Sequence, residues 1–294
     1  MYCEKPLSLS IAEGRKMVEA ARKHDRIVQT GSQQRSASNF RTACELVRNG
    51  HIGKVKQVLV GIARSNHPGE PGPNSAPPKE LDYNFWLGPA PLKPYNEKRV
   101  HYNFRFYWDY SGGQMTNWGA HHIDIAQWGL GMDDSGPIRS WGEATFHPKG
   151  WHEVTETCRI HHEYPGGIEM IVGQLQDDIP MGTTFIGEKG KIYVNRGKLS
   201  SDPEGLIKEK LADDAERLYV SGNHHENFLD CIKSRELPIC DVEIGHRSAT
   251  VCHLGNVVAR TGEEIRWDPQ TEQLEGGDEA KALVSRKYRK PWVL

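Results

Sequence analysis

The chain has 294 residues, is 26% charged and 37% hydrophobic, and carries a formal net charge of −2. That balance fits a soluble globular protein of one large or two smaller domains. It gives no reason to expect a nucleic-acid partner, and no apolar stretch approaches the roughly 20 residues needed to span a bilayer. The six cysteines form no C-x-x-C pair and read as free thiols of a reducing, cytoplasmic setting.

The first element follows a short extended stretch. Ser10-Ile11-Ala12-Glu13 has capping-box spacing, and Ile11, Gly14, Val18 and Ala21 share one helical face. Ile27 to Thr30 reads as a short buried strand. Phe40, Ala43, Cys44 and Val47 mark a second helix that stops at Gly50. "KVKQVLVGIAR" is a long strand. Helix, strand, helix, strand is the alternation of a wound α/β unit. Residues 66 to 96 are rich in proline and read as a long irregular excursion. A helix covers "SGGQMTNWGAHHIDIAQWGLG". Four strand-like runs follow, "IRSWGEATF", "TETCRIHHEY", "IEMIVGQL" and "TTFIGEKGKIYV", joined by short turns, so an antiparallel sheet is expected. "IEMIVGQL" and "TCRIHHEY" carry apolar residues on both alternations. That predicts cover on both faces, with helices on one and a second copy on the other. Two helices, starting near Asn223 and Glu243, and a charged tail close the chain.

The chemistry concentrates on the 111–131 helix. Gly113, Asn117, His121, Asp124 and Trp128 fall along one stripe, which aligns an amide, an imidazole and a carboxylate. A solvated face with one satisfied histidine is the plain alternative. A metal site on His121 and Asp124 is a third reading, without a strong ligand spacing. Lys5 precedes Pro6, and this favours extended geometry, so the lysine belongs at or just after a strand end. In an open α/β sheet that edge binds ligands; an ordinary surface lysine is the other reading.

Glu4-Lys5-Pro6, "GSQQR", "VRNGHIGKV", "FWLGPAP", "GGQMTNWGAHHID" and "GEKGKIYV" together resemble the Gfo/Idh/MocA family of NAD(P)-dependent oxidoreductases. The central helix and "GHRSATVCHLGN" look most like its planctomycete-type branch. The resemblance implies an α/β chain in two parts. Residues 1–53 would be the C-terminal remnant of a Rossmann domain. Residues 54–294 would be a substrate-binding and oligomerisation domain with a large, mainly antiparallel, open-faced sheet. It implies hydride transfer between NAD or NADP and a hydroxyl of a sugar or polyol, in a homodimer or homotetramer. It also implies a preceding segment of about 100 residues bearing a G-x-G-x-x-G turn. No such turn occurs here. A fragment, a displaced gene start and a truncated protein all fit. On this reading the chain alone is inactive, or is a sugar-binding or dimerisation module. NAD-dependent glycosidase chemistry is an alternative for the intact form.

By the same resemblance His121 is the general acid/base, and Lys5 bridges cofactor ribose and substrate, stabilises the alkoxide and lowers the histidine pKa. Asp124 orients the ring or grips a hydroxyl. Asn117 stands where many members have Asp and binds substrate as an amide. Glu4, Lys5, Pro6 and Trp86 lie toward the cofactor, although packing also accounts for the tryptophan. Gln33, Gln34 and Arg35 line the nicotinamide or substrate side, with loop polarity as the alternative. Arg105 and Tyr107, with Tyr102 and Trp108, suit sugar stacking and hydroxyl contacts, or loop packing. His224 and His225 head a helix and could reach the pocket, with satisfied helix-start histidines as the favoured alternative.

Overall fold

The computed structural model describes residues 1–294. Strand β1 (Tyr2–Cys3) pairs in parallel with β2 (Gln29–Thr30), and helix α1 (Ile11–Lys23) connects them. Ser10 caps α1 by accepting from the Glu13 amide, and Ile11, Gly14, Val18 and Ala21 are its buried face. Helix α2 (Ser38–Arg48) leads into β3 (Val55–Ile62), and the proline-rich excursion contains only the short helix α3 (Tyr83–Leu87) and single 3-10 turns. The 111–131 segment is two helices, α4 (Gly113–Asn117) and α5 (Gly119–Leu130). Trp118 between them keeps helical torsions, so the rod continues across the junction.

Strands β4 (Arg139–Phe146), β5 (Thr155–Tyr164), β6 (Ile168–Gln174), β7 (Gly182–Gly187), β8 (Lys191–Asn195) and β9 (Lys198–Asp202) follow. Helix α6 (His224–Ser234) is capped by Asn223, and α7 (Val242–Thr261) by Asp241. Strands β10 (Ile265–Asp268) and β11 (Gln273–Glu275) and helix α8 (Asp278–Ala282) complete the chain. Nine strands form one sheet in the order β11-β10-β4-β5-β6-β3-β7-β8-β9. Every neighbouring pair is antiparallel except β3 with β6.

One face of this sheet packs on α5, α7 and α2. Val58, Val60, Ile160, Met170, Val172, Phe185, Ile192 and Val194 are buried there, in a core that also takes in Phe40, Ala43, Cys44 and Val47 of α2. The core therefore runs without a seam from α2 into the sheet. Helix α7 is buried all round because α1 and the small β1–β2 sheet lie against its far side. At the closest approach Gly245 faces Thr30, where a Cβ would fall 2.0 Å from the hydroxyl oxygen.

The opposite sheet face departs from expectation in β5. Its burial alternates, and the outward positions are Thr157, Arg159, His161 and Glu163. His161 is tied to Glu169 at 2.8 Å and stacks on Trp141. This face is a polar lattice holding a few apolar groups, Trp141, Ile171 and Leu59, which sit in register across the strands. The charged tail folds back: the Arg289 backbone N–H donates to Pro89 O at 2.9 Å, and its guanidinium to Gly88 O at 2.8 Å. All six cysteines are free thiols, and five are buried.

Candidate active site

The β1 strand ends at Cys3, so Glu4-Lys5-Pro6 leaves the C-terminal edge of the small sheet and crosses toward α4. The Lys5 ammonium donates to Asn117 O at 2.9 Å and to Asn117 Oδ1 at 2.8 Å, across 112 residues of sequence. The Asn117 amide nitrogen in turn donates to Gln114 Oε1 at 3.0 Å, which fixes the amide's orientation. Burial, then the charges of Arg105 and Arg196, lower the Lys5 pKa to about 8.

His121 lies one helical turn beyond Asn117. Its residue is only 5% exposed, and its Nδ1 is buried without a partner. Burial, then the charges of Lys5, Arg196 and His122, push the imidazole down to about 2. The ring is neutral at any physiological pH and has lone-pair capacity to spare. Trp118 stands over both histidines, 5.7 Å from the His121 ring and 5.6 Å from a stacked His122. The Arg196 guanidinium sits 4.7 Å over the same indole.

Asp124 does not meet His121. It is wholly buried, and its carboxylate takes Arg35 Nε at 2.8 Å, Arg35 Nη2 at 2.9 Å and the Ser248 hydroxyl at 2.8 Å. Those bonds engage both its oxygens, and the structure places it in an ion pair with Arg35 and not against the His121 ring, where a ring-orienting role would need it. Arg35 shares this burial. The guanidinium is 1% exposed, also bonds Asp133, and lines no cleft. Burial opposes its charge, but Asp124 and Asp133 prevail and hold its pKa above the ordinary value. Of its two neighbours in sequence, Gln33 is exposed and Gln34 is buried. Gln34 Nε2 donates to His121 O at 3.1 Å, while its Oε1 accepts from Arg196 Nε at 3.2 Å. Gln34 thereby splints His121 to Arg196 from behind.

The aromatic and basic set divides. Arg105 lies over the Tyr102 ring at 3.6 Å and its charge reaches Lys5. Tyr107 is buried against Val154 and His152 and is a packing residue, contrary to a sugar-stacking role. A cavity of about 650 Å³ opens beside Lys5, lined by Glu4, Pro6, Phe104, Tyr110, Thr116 and others. Trp86, stacked on Tyr83, lines a second of about 330 Å³. The two share Leu9, Phe104 and Tyr110. His224 is committed to Ser36 and to Thr30 O and does not reach the site. No group of three His, Cys, Asp or Glu side chains converges as a metal site. Arg196 and Trp118 were missed because a hairpin cation and an interhelical indole look like surface and packing in sequence.

The oxidoreductase-family C-terminal alpha/beta domain of the Gfo/Idh/MocA type matches residues 69–294. The chain belongs to the Gfo/Idh/MocA oxidoreductase family. Members are NAD(P)-dependent oxidoreductases of sugars and polyols. The myo-inositol 2-dehydrogenase of Thermotoga maritima is 46% identical over 54 residues, a stretch covering 18% of this chain and only 16% of that relative. The aldose-aldose oxidoreductase from Caulobacter crescentus, solved with glycerol, superposes at TM-score 0.61 with 16% identity over 90% of this chain and 71% of its own. The WlbA dehydrogenase from Bordetella pertussis, solved with NADH and UDP-GlcNAcA, gives TM-score 0.61, 16% identity and coverages of 90% and 70%. At such identities these two likenesses establish the fold of this family member.

Proposed function

We propose that this chain carries the substrate side of an NAD(P)-dependent oxidoreductase that acts on a hydroxyl of a sugar or polyol. The observation carrying the reading is the pairing of a buried, unpartnered, neutral His121 with Lys5 held on Asn117. A hydroxyl bound between them would give its proton to the His121 ring, while the Lys5 ammonium stabilises the oxyanion left behind. Asn117, already an acceptor for Lys5, sets the lysine's position and offers no competing base. A bound NAD or NADP would supply the hydride acceptor. The joined cavities at Lys5 and Trp86 fit the nicotinamide–ribose end of such a group, with Glu4 and Pro6 at the rim. The sequence has no G-x-G-x-x-G turn to cradle a pyrophosphate. Residues 1–53 would then serve as the cofactor-side remnant and 54–294 as the substrate domain.

Two experiments check the reading. In titration calorimetry this chain should bind NADH more weakly than micromolar. In ligand-observed NMR, sugars or polyols should bind and be displaced by His121→Ala and Lys5→Ala; a carbohydrate panel that binds none, or binds both variants unchanged, overturns it. The sheet's outer face, where Trp141 and Leu59 are only partly covered, would be the surface for self-association. Light scattering should give a dimer or tetramer, and a stable monomer at micromolar concentration would refute it.

A further inference from the structure

We infer that the substrate of the His121 site carries an anionic group, a carboxylate or a phosphate on the sugar, and that Arg196 is the side chain that reads it. The inference rests on the carbohydrate reading above and extends it to a substrate class. Its ground is a cluster of three cations without ion-pair partners. Lys5 bonds only to the Asn117 oxygens, Arg196 only to Gln34, and Arg105 lies on the Tyr102 ring. None of the three meets a carboxylate, whereas Arg15, Arg22, Arg35 and Arg48 each do. Position 117 is an amide and Asp124 is tied to Arg35 and Ser248; Glu4, which packs toward Gly31, is the one carboxylate whose charge reaches Lys5, and it forms no ion pair with it.

Arg196 is also built to be held still. It occupies the β8–β9 turn, whose following Gly197 takes φ +68. Asn39 Nδ2 grips the turn at Asn195 O, 2.8 Å, and Asn195 Nδ2 is anchored on Met181 O, 2.9 Å. The guanidinium lies over the Trp118 ring at 4.7 Å, and its Nε is spent on Gln34. Its two terminal nitrogens are left free, the fork that takes a carboxylate or phosphate bidentately. The side chain is exposed, its charge reaches Lys5 and His121, and the same Gln34 ties it to the His121 backbone. An anion seated there has a second consequence. It opposes the charges that depress His121 and Lys5, so both pKa values rise on binding and the histidine becomes the better proton acceptor. Recognition of the substrate's charge and activation of the base are then one event.

The test titrates this chain and R196Q with glucuronate, glucose 6-phosphate and glucose, by calorimetry or ligand-observed NMR, with inorganic phosphate alone as a competitor. One or both anionic sugars should bind at least about tenfold more tightly than glucose, the worth of one charge-assisted contact. R196Q should narrow that gap by a similar factor, and the pattern across the two anions identifies carboxylate or phosphate. Glucose binding as tightly as both anions overturns this inference and leaves the carbohydrate reading intact. An anion preference that R196Q leaves unchanged overturns the assignment to Arg196. Binding of phosphate alone, with no dependence on the sugar, overturns the inference as well, and binding of no compound overturns it together with the carbohydrate reading.

Discussion

Replacing Arg35 with Met should cost about 3–5 kcal/mol of folding stability, the usual effect of leaving one partner of a buried ion pair alone. Arg35 is 1% exposed and Asp124 is 0% exposed, so the orphaned carboxylate has no water to turn to. Asp133 loses its partner too, but it is partly exposed and is resolvated. The lost cation–π contact to Trp128, at 5.1 Å, adds a smaller amount. Urea denaturation measures this directly. The double change Arg35→Met with Asp124→Leu should recover much of the loss, because no charge is then left buried. A loss below about 1 kcal/mol in the single variant would mean that Asp124 is protonated in the native state, and the ion pair described here would be wrong.

The second large effect concerns turnover. In a form that also carries a dinucleotide-binding turn, His121→Ala should lower turnover by about 10²–10⁴, the range for loss of a positioned general base. Asn117→Asp is the informative partner. It places a negative charge where the Lys5 ammonium now lies 2.8 Å from an amide oxygen. A carboxylate there favours the charged lysine, so Lys5 rises from about 8. Burial holds His121 down first, but the new charge opposes the positive charges that add to that shift, and the histidine rises with it. The acid limb of the pH–rate profile should therefore move to higher pH. A limb that stays in place would separate Asn117 from His121 electrostatically.

What the sequence disclosed and what it hid follow from the range of the interactions. The caps at Ser10, Asn223 and Asp241, the buried stripe of α1 and the amphipathic α2 are set by residues within a few positions of one another, and they are legible. So is the coarse α/β class with a mainly antiparallel sheet. The insertion of β3 between β6 and β7, with one parallel pairing, depends on contacts more than 100 residues apart and has no local signature. Within the site, Lys5 and the Asn117–His121 stripe stood out because extended geometry before Pro6 and four-residue spacing are local facts. Arg35 and Asp124 were misjudged for the same reason. Each is a polar residue near a chemical motif, and only the fold shows that two residues 89 positions apart come together as a sealed pair. β5 misled in the opposite direction: Arg159, His161 and Glu163 stand on the side away from the core in a polar lattice, while His162 is buried on the core side.

On the proposed reading Lys5 and His121 act as one proton-handling unit, with burial first and then the lysine's charge holding the imidazole neutral until an oxyanion forms. Nitrogen-15 NMR of the histidine rings tests it most directly, by following His121 against pH in the native chain and in Lys5→Ala. His121 should stay neutral throughout the pH range in which the chain stays folded, and its pKa should rise once the lysine is gone. A His121 that titrates near the ordinary value of about 6.5, with or without Lys5, would contradict it.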